Sequence, residues 1–132
     1  MKKIISIISL MACSTVAQAE QLVLIWQSPD RGVSQYVDMD DIARNGDLVE
    51  MWRVFNYKPP YLRSVNRVPY TSQRVRTEFD CESMALRQIY ASWHAEDSAK
   101  GAPLVETSEP ELWEFSSNNE FTGPLWKIAC GR

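Results

Sequence analysis

The chain is short of catalytic side chains and of glycine. It has one histidine, His94, and five glycines in 132 residues. No Gly-rich phosphate loop and no G-x-S-x-G elbow occurs, so nucleotide binding and α/β-hydrolase chemistry both lack their signatures. A Cys–His nucleophilic pair would be Cys81 with His94, a thiolate and a base within hydrogen-bond reach. Neither residue carries a local signature, and His94 is expected at the surface or at a strand end beside a loop. Excess positive charge is also missing, which argues against nucleic acid as a partner. Beyond the N-terminal region no apolar run is long enough to span a bilayer. There are no repeats, no low-complexity tract and no linker.

What is present begins at the N-terminus. "MKK", the apolar "IISIISLMACSTV" and then "AQA" read as a secretory signal peptide over residues 1–19, cleaved after Ala19. The mature chain then starts at Glu20 and forms one domain, residues 20–132. "LMAC" raises an alternative, lipidation at Cys13, which would attach the protein to a membrane. The apolar stretch before Cys13 is short for that, and Met11 is an uncommon residue there, so the "AQA" site is preferred. Removing Lys2 and Lys3 leaves 12 basic against 17 acidic side chains, a mature charge near −5. Two cysteines remain after cleavage, Cys81 and Cys130, and in an oxidising compartment two cysteines are most simply one disulfide.

Strand patterns dominate the rest. In "RVRTEFDC", residues 74–81, Val75, Thr77, Phe79 and Cys81 alternate with Arg74, Arg76, Glu78 and Asp80, the period of a half-buried strand. "LVLIWQ" (22–27) is read as a strand covered on both sides, and "LVEMWRVFNY" (48–57) as a central strand. "KPPYLRSVNRVPY" is read as a loop, because Pro59-Pro60 excludes a ladder interior. Residues 83–94 fit helix and strand equally. "PLWKIACGR" reads as a short terminal helix, capped at Thr122 or Gly123 and ended by Gly131, with Trp126 and Cys130 sharing a face. The fold class is α+β: an antiparallel sheet with a short C-terminal helix packed on it and one disulfide.

Two further features invite chemistry. An EF-hand loop from Asp38 matches at Asp38 and Asp40 but fails at Ile42, Ala43 and Val49. Asp38 to Asp41 are instead expected to cap a short helical turn. The aromatics of "YKPPY" and "WEF" are candidates for a binding face, although aromatics at strand spacing usually fill cores. No catalytic, cofactor or metal site is expected.

Trp26, "YVD" at 36–38, Ile42, Arg44, Gly46, Trp52 in "EMWRVFNY", "EFDC" ending at Cys81, Trp113 and the final "LWKIAC" form an ordered set. This set resembles the surface-adhesin protein E family of Gram-negative bacteria over nearly the whole mature chain. The resemblance implies an antiparallel sheet with flanking helices and a Cys81–Cys130 bridge, the pair also reached by counting. It implies a non-enzymatic exported envelope domain, in the periplasm or at the outer membrane and cell surface. The implied partners are a host extracellular or envelope protein, and a second copy in a homodimer. A soluble periplasmic inhibitor of the lysozyme-inhibitor type is the alternative that size, export and one bridge also fit.

Overall fold

A computed structural model describes residues 21–115 and 119–131. The expected signal peptide over residues 1–19, its cleavage site between Ala19 and Glu20, and Cys13 lie outside the described residues. The chain forms an antiparallel meander. β1 (Leu22–Ser28), β2 (Val33–Asn45), β3 (Leu48–Leu62), β4 (Pro69–Asp80), β5 (Ala85–His94) and β6 (Val105–Thr107) lie side by side in chain order. The short β7 (Glu114–Phe115) also pairs with β5, and α1 (Gly123–Cys130) ends the chain. Among the described residues α1 is the only α-helix; the other helical pieces are 3-10 turns at Pro29–Arg31 and Asp97–Ala99.

Short turns permit this order. Asn45 pairs with Leu48 across Gly46 and Asp47, and Gly46 takes a φ of +61° that other residues adopt reluctantly. Gly32, between β1 and β2, has both reasons to be glycine. Its φ is +64°, and a Cβ there would sit 1.9 Å from the Lys58 carbonyl oxygen. The Lys58 N–H donates to the Gly32 carbonyl, so the turn is sewn to β3.

Residues 83–94 resolve as strand, with Ala85–His94 paired along β4. Alternation then fixes which side chains face the helix. On β3, Val49, Met51, Arg53 and Phe55 point to one side and are buried; on β4, Val75, Thr77 and Phe79 oppose them. The helix lays Leu125, Trp126 and Ala129 on Val37, Val49, Met51 and Phe79. Trp126 meets Phe79 edge to face, with centroids 5.1 Å apart. Thr122 stands at the N-cap, and Gly131 closes the helix with a left-handed φ of +72°. The Arg44 guanidinium donates to the last carbonyls of α1, to Ala129 and, at 2.9 Å, to Ile128. Cys81, one residue past β4, is bonded to Cys130.

Four expectations need correction. First, Asp38 to Asp41 form no helical turn; β2 continues through them. Its register against β3 shifts between Val37 and Ile42, and Asp38 accepts the Asp40 N–H at 3.0 Å. Asp side chains that bond their own backbone two residues on favour a bulge as readily as a cap. Second, β1 is an edge strand rather than a covered one, with Val23 and Leu24 47% and 46% exposed. Third, "KPPYLRSVNRVPY" is a loop only at residues 63–68, and strand on either side. β3 runs to Leu62 and β4 begins at Pro69, but the ladder skips from Asn56–Ser72 to Tyr61–Tyr70, so the prolines sit where no rung is needed. Fourth, His94 ends β5 as expected but is 5% exposed, not superficial. The 3-10 turn at Asp97–Ala99 packs over that end of the sheet, and a His94 ring nitrogen lies 2.8 Å from the Ser92 hydroxyl.

The dimensions of these elements leave part of the sheet open. An eight-residue helix is roughly 12 Å long, whereas a fifteen-residue strand reaches about 50 Å. Beyond the N-terminus of α1, the helix-side face must find other cover or remain a groove.

Candidate binding groove

It remains a groove, of about 510 Å³. Arg53, Phe55 and Tyr57 come from one face of β3, and Gln73 and Val75 lie opposite on β4. Phe121 and Thr122, at the start of α1, form one wall; Glu114 and Phe115 from β7 form another. Phe121 is held in place by Trp26, edge to face at 5.0 Å, and by Phe55, stacked at 6.4 Å. Phe115 is 80% exposed at the rim.

An aromatic run extends the groove along β3. Tyr57 stacks on Tyr61 at 4.5 Å and meets Tyr70 edge to face at 5.3 Å. A second hollow, lined by Leu62, Arg63, Tyr70 and Trp93, shares Gln73 with the first, and the Arg63 guanidinium lies 4.5 Å from the Trp93 ring centre. Burial pushes the Tyr57 phenol well above its ordinary pKa, with Tyr70 and Tyr61 adding to the shift. Its hydroxyl therefore stays protonated and donates to the Gln73 side-chain oxygen at 3.2 Å.

Arg53 is the unusual residue. It is 5% exposed, and its guanidinium gives two hydrogen bonds to the side-chain oxygen of Gln35, at 2.8 and 2.6 Å, and one to the Thr77 hydroxyl at 3.4 Å. Phe55 lies 4.9 Å and Phe121 5.9 Å from its central carbon. Desolvation lowers its pKa to about 10, opposed by the nearby Tyr57, so the group is still a cation at neutral pH.

The opposite face of the sheet is built differently. Trp52 lies there under Arg74, 3.9 Å from its ring centre, and against Tyr90. Arg76 pairs with Glu50 at 3.2 Å and with Asp41 at 3.6 Å, and Arg87 pairs with Glu78 at 2.9 Å. Those two arginines are neutralised by carboxylates on their own face.

The residues singled out by sequence fall in different places. Cys81 and Cys130 are joined, so Cys81 offers no thiolate to His94, which lies at the far end of β5. Among the described residues no group of His, Cys, Asp and Glu is arranged to hold a metal ion, and Asp41 is engaged by Arg76. "YKPPY" and "WEF" do converge: Tyr57 and Phe115 line the groove, and Tyr61 extends it. Arg53, Gln35, Gln73 and Phe121 escaped sequence reasoning. A signal for Arg53 existed, since strict alternation puts it on the same face as Met51 and Phe55. Its partner Gln35 lies on another strand, which no local pattern reveals.

No helix among the described residues is long and apolar enough to cross a membrane. No curated protein matches the chain in sequence. Its fold is similar to that of solved structures of Haemophilus influenzae protein E. One has 17% identity and a TM-score of 0.56, covering 74% of this chain and 76% of that one. A second crystal form gives 17% and 0.55, covering 74% and 80%. Protein E from a non-typeable strain gives 13% and 0.52, covering 90% and 82%. At such identities the likeness shows the fold alone. The family model described as surface-adhesin protein E matches residues 23–131, from β1 to the cap of α1, and the chain belongs to that family.

Proposed function

We propose that the chain is an exported, non-enzymatic envelope domain that captures a protein ligand in the helix-side groove. The observation that carries this reading is the open groove itself, rimmed by aromatics and floored by an arginine. Tyr, Phe and Arg are the residues enriched at protein–protein contacts, where they provide large buried area and oriented donors. Membership of a family named for surface adhesion supports the same reading, and the ligand class it suggests is a host extracellular or envelope protein. The "MKK…AQA" segment supports export with cleavage after Ala19. Lipidation at Cys13 would place the same domain on a membrane, and a soluble periplasmic form would favour an inhibitor-like role.

The test uses the full chain expressed with its leader, fractionated, weighed intact and then used as bait. The expected mass is that of residues 20–132, and a diacylated species starting at Cys13 would overturn the cleavage site. Ligands identified from envelope and matrix extracts are then titrated against a Phe115→Asp/Tyr61→Asp double variant. Truncated contact centres usually cost at least about 1–2 kcal/mol, so affinity should fall about tenfold or more. Met39→Asp, an exposed site that does not line the groove, should leave binding unchanged. Equal affinity for wild type and the double variant would remove the groove from the function.

A further inference from the structure

A guanidinium has five N–H donors. In Arg53 three have acceptors: Nε and one N–H of Nη2 reach Gln35, and one N–H of Nη1 reaches Thr77. One N–H on each terminal nitrogen is left over among the described residues, and no carboxylate pairs with the group. The contrast with Arg76 and Arg87, each held by a carboxylate on the far face, is sharp. A buried cation without an anion is costly to keep, and the cost is relieved when an anion arrives with matching geometry. Arg53 lines the groove while only 5% exposed, so an anion would meet it from inside the groove and not in open solvent.

We propose that the groove is a carboxylate site, in which the two spare N–H groups of Arg53 take the two oxygens of an acidic side chain of the protein ligand while Phe55 and Phe121 pack its apolar part. Two parallel N–H···O bonds are the natural pairing of guanidinium and carboxylate. The adjoining rings suit the methylenes of Glu or a neighbouring apolar side chain. Among the described residues Glu114 is the one carboxylate lining the groove, and it is exposed at the mouth. It repels an incoming anion and so sets the affinity without blocking the site. This inference rests on the groove being the ligand site and adds the chemistry of what it recognises.

The probe is benzoate, with benzamide as its uncharged counterpart, titrated into the oxidised mature domain in chloride-free buffer and followed by amide and Arg Nε–H resonances. A ligand of this size should saturate in the millimolar range. Benzoate is expected to shift Arg53, Phe55 and Phe121 saturably, with benzamide about tenfold weaker or worse. Glu114→Gln, a surface change that leaves the fold intact, should tighten benzoate about two- to threefold at low salt. Arg53→Met should abolish the response; if it fails to fold, benzamide and Glu114→Gln still decide. Equal binding of benzoate and benzamide, no saturable shift in the groove, or a Glu114→Gln variant that binds no more tightly would overturn the proposal. If benzoate fails while the Phe115→Asp/Tyr61→Asp variant still loses the protein ligand, only the carboxylate chemistry is wrong and the groove stands.

Discussion

Trp126→Ala is expected to destabilise the domain by about 3–5 kcal/mol, the range for removing a large buried aromatic. Trp126 is fully buried and stands at the centre of the cluster joining α1 to the sheet, against Phe79 and beside Leu125 and Ala129. Its removal leaves a hole between two elements that touch through few other large side chains. The helix, at eight residues, has negligible stability alone, so it has no means of collapsing onto the cavity independently. The indole N–H has no acceptor among the described residues. Trp126→Phe therefore loses volume but no hydrogen bond, and should cost much less, below about 1.5–2 kcal/mol. Urea denaturation of the oxidised protein measures both. A loss below about 1 kcal/mol for Trp126→Ala would mean that the helix is not held by this contact.

Cys130→Ser is expected to cost about 2–4 kcal/mol. The bridge closes a loop of 49 positions, for which the chain-entropy estimate is roughly 4 kcal/mol. A domain of this size should lose about 10–15 °C in melting temperature. The loss is not uniform. α1 is fastened at three points: the bridge, Trp126, and the Arg44 guanidinium on its last carbonyls. Without the bridge, residues 123–131 should show faster amide exchange before the β3–β4 ladder does. Combining Cys130→Ser with Trp126→Ala should cost less than the two losses added, because both act by releasing the same helix. Full additivity, or unchanged exchange in α1, would show that the bridge stabilises something other than the helix–sheet contact.

Much of this fold is legible where local chemistry and tertiary role agree. Val75, Thr77 and Phe79 alternate because one face of β4 is buried, and they are buried. Thr122, Pro124 and Gly131 mark α1 at both ends, and the helix lies between them. Counting the two cysteines that the expected cleavage would leave gives the bridge, and Cys81 and Cys130 are joined. Legibility fails where a residue's state depends on a distant segment. β1 has the apolar sequence of a central strand, yet among the described residues it pairs only with β2, and Val23 and Leu24 stay exposed. His94 reads as a loop-side residue, but the turn at Asp97–Ala99 folds back over it. The rule against proline in ladders holds at Pro59 and Pro60 themselves, while the pairing resumes at the very next residue because Tyr61 finds Tyr70. In the groove, the aromatics of "YKPPY" and "WEF" stood out in the sequence. Arg53 did not, because a charged residue in a strand normally points to water, and this one points inward only because Gln35 and Thr77 receive it.

A photo-reactive benzoylphenylalanine at position 115 tests ligand capture in the groove most directly. Phe115 is exposed and needs no repacking to accept it. Irradiated in the presence of the identified protein ligand, the probe at 115 is expected to give a covalent adduct that excess unlabelled domain suppresses, and the same probe at Met39 should give none. Adducts at 39 but not at 115 would place the ligand elsewhere and contradict the groove as the binding surface.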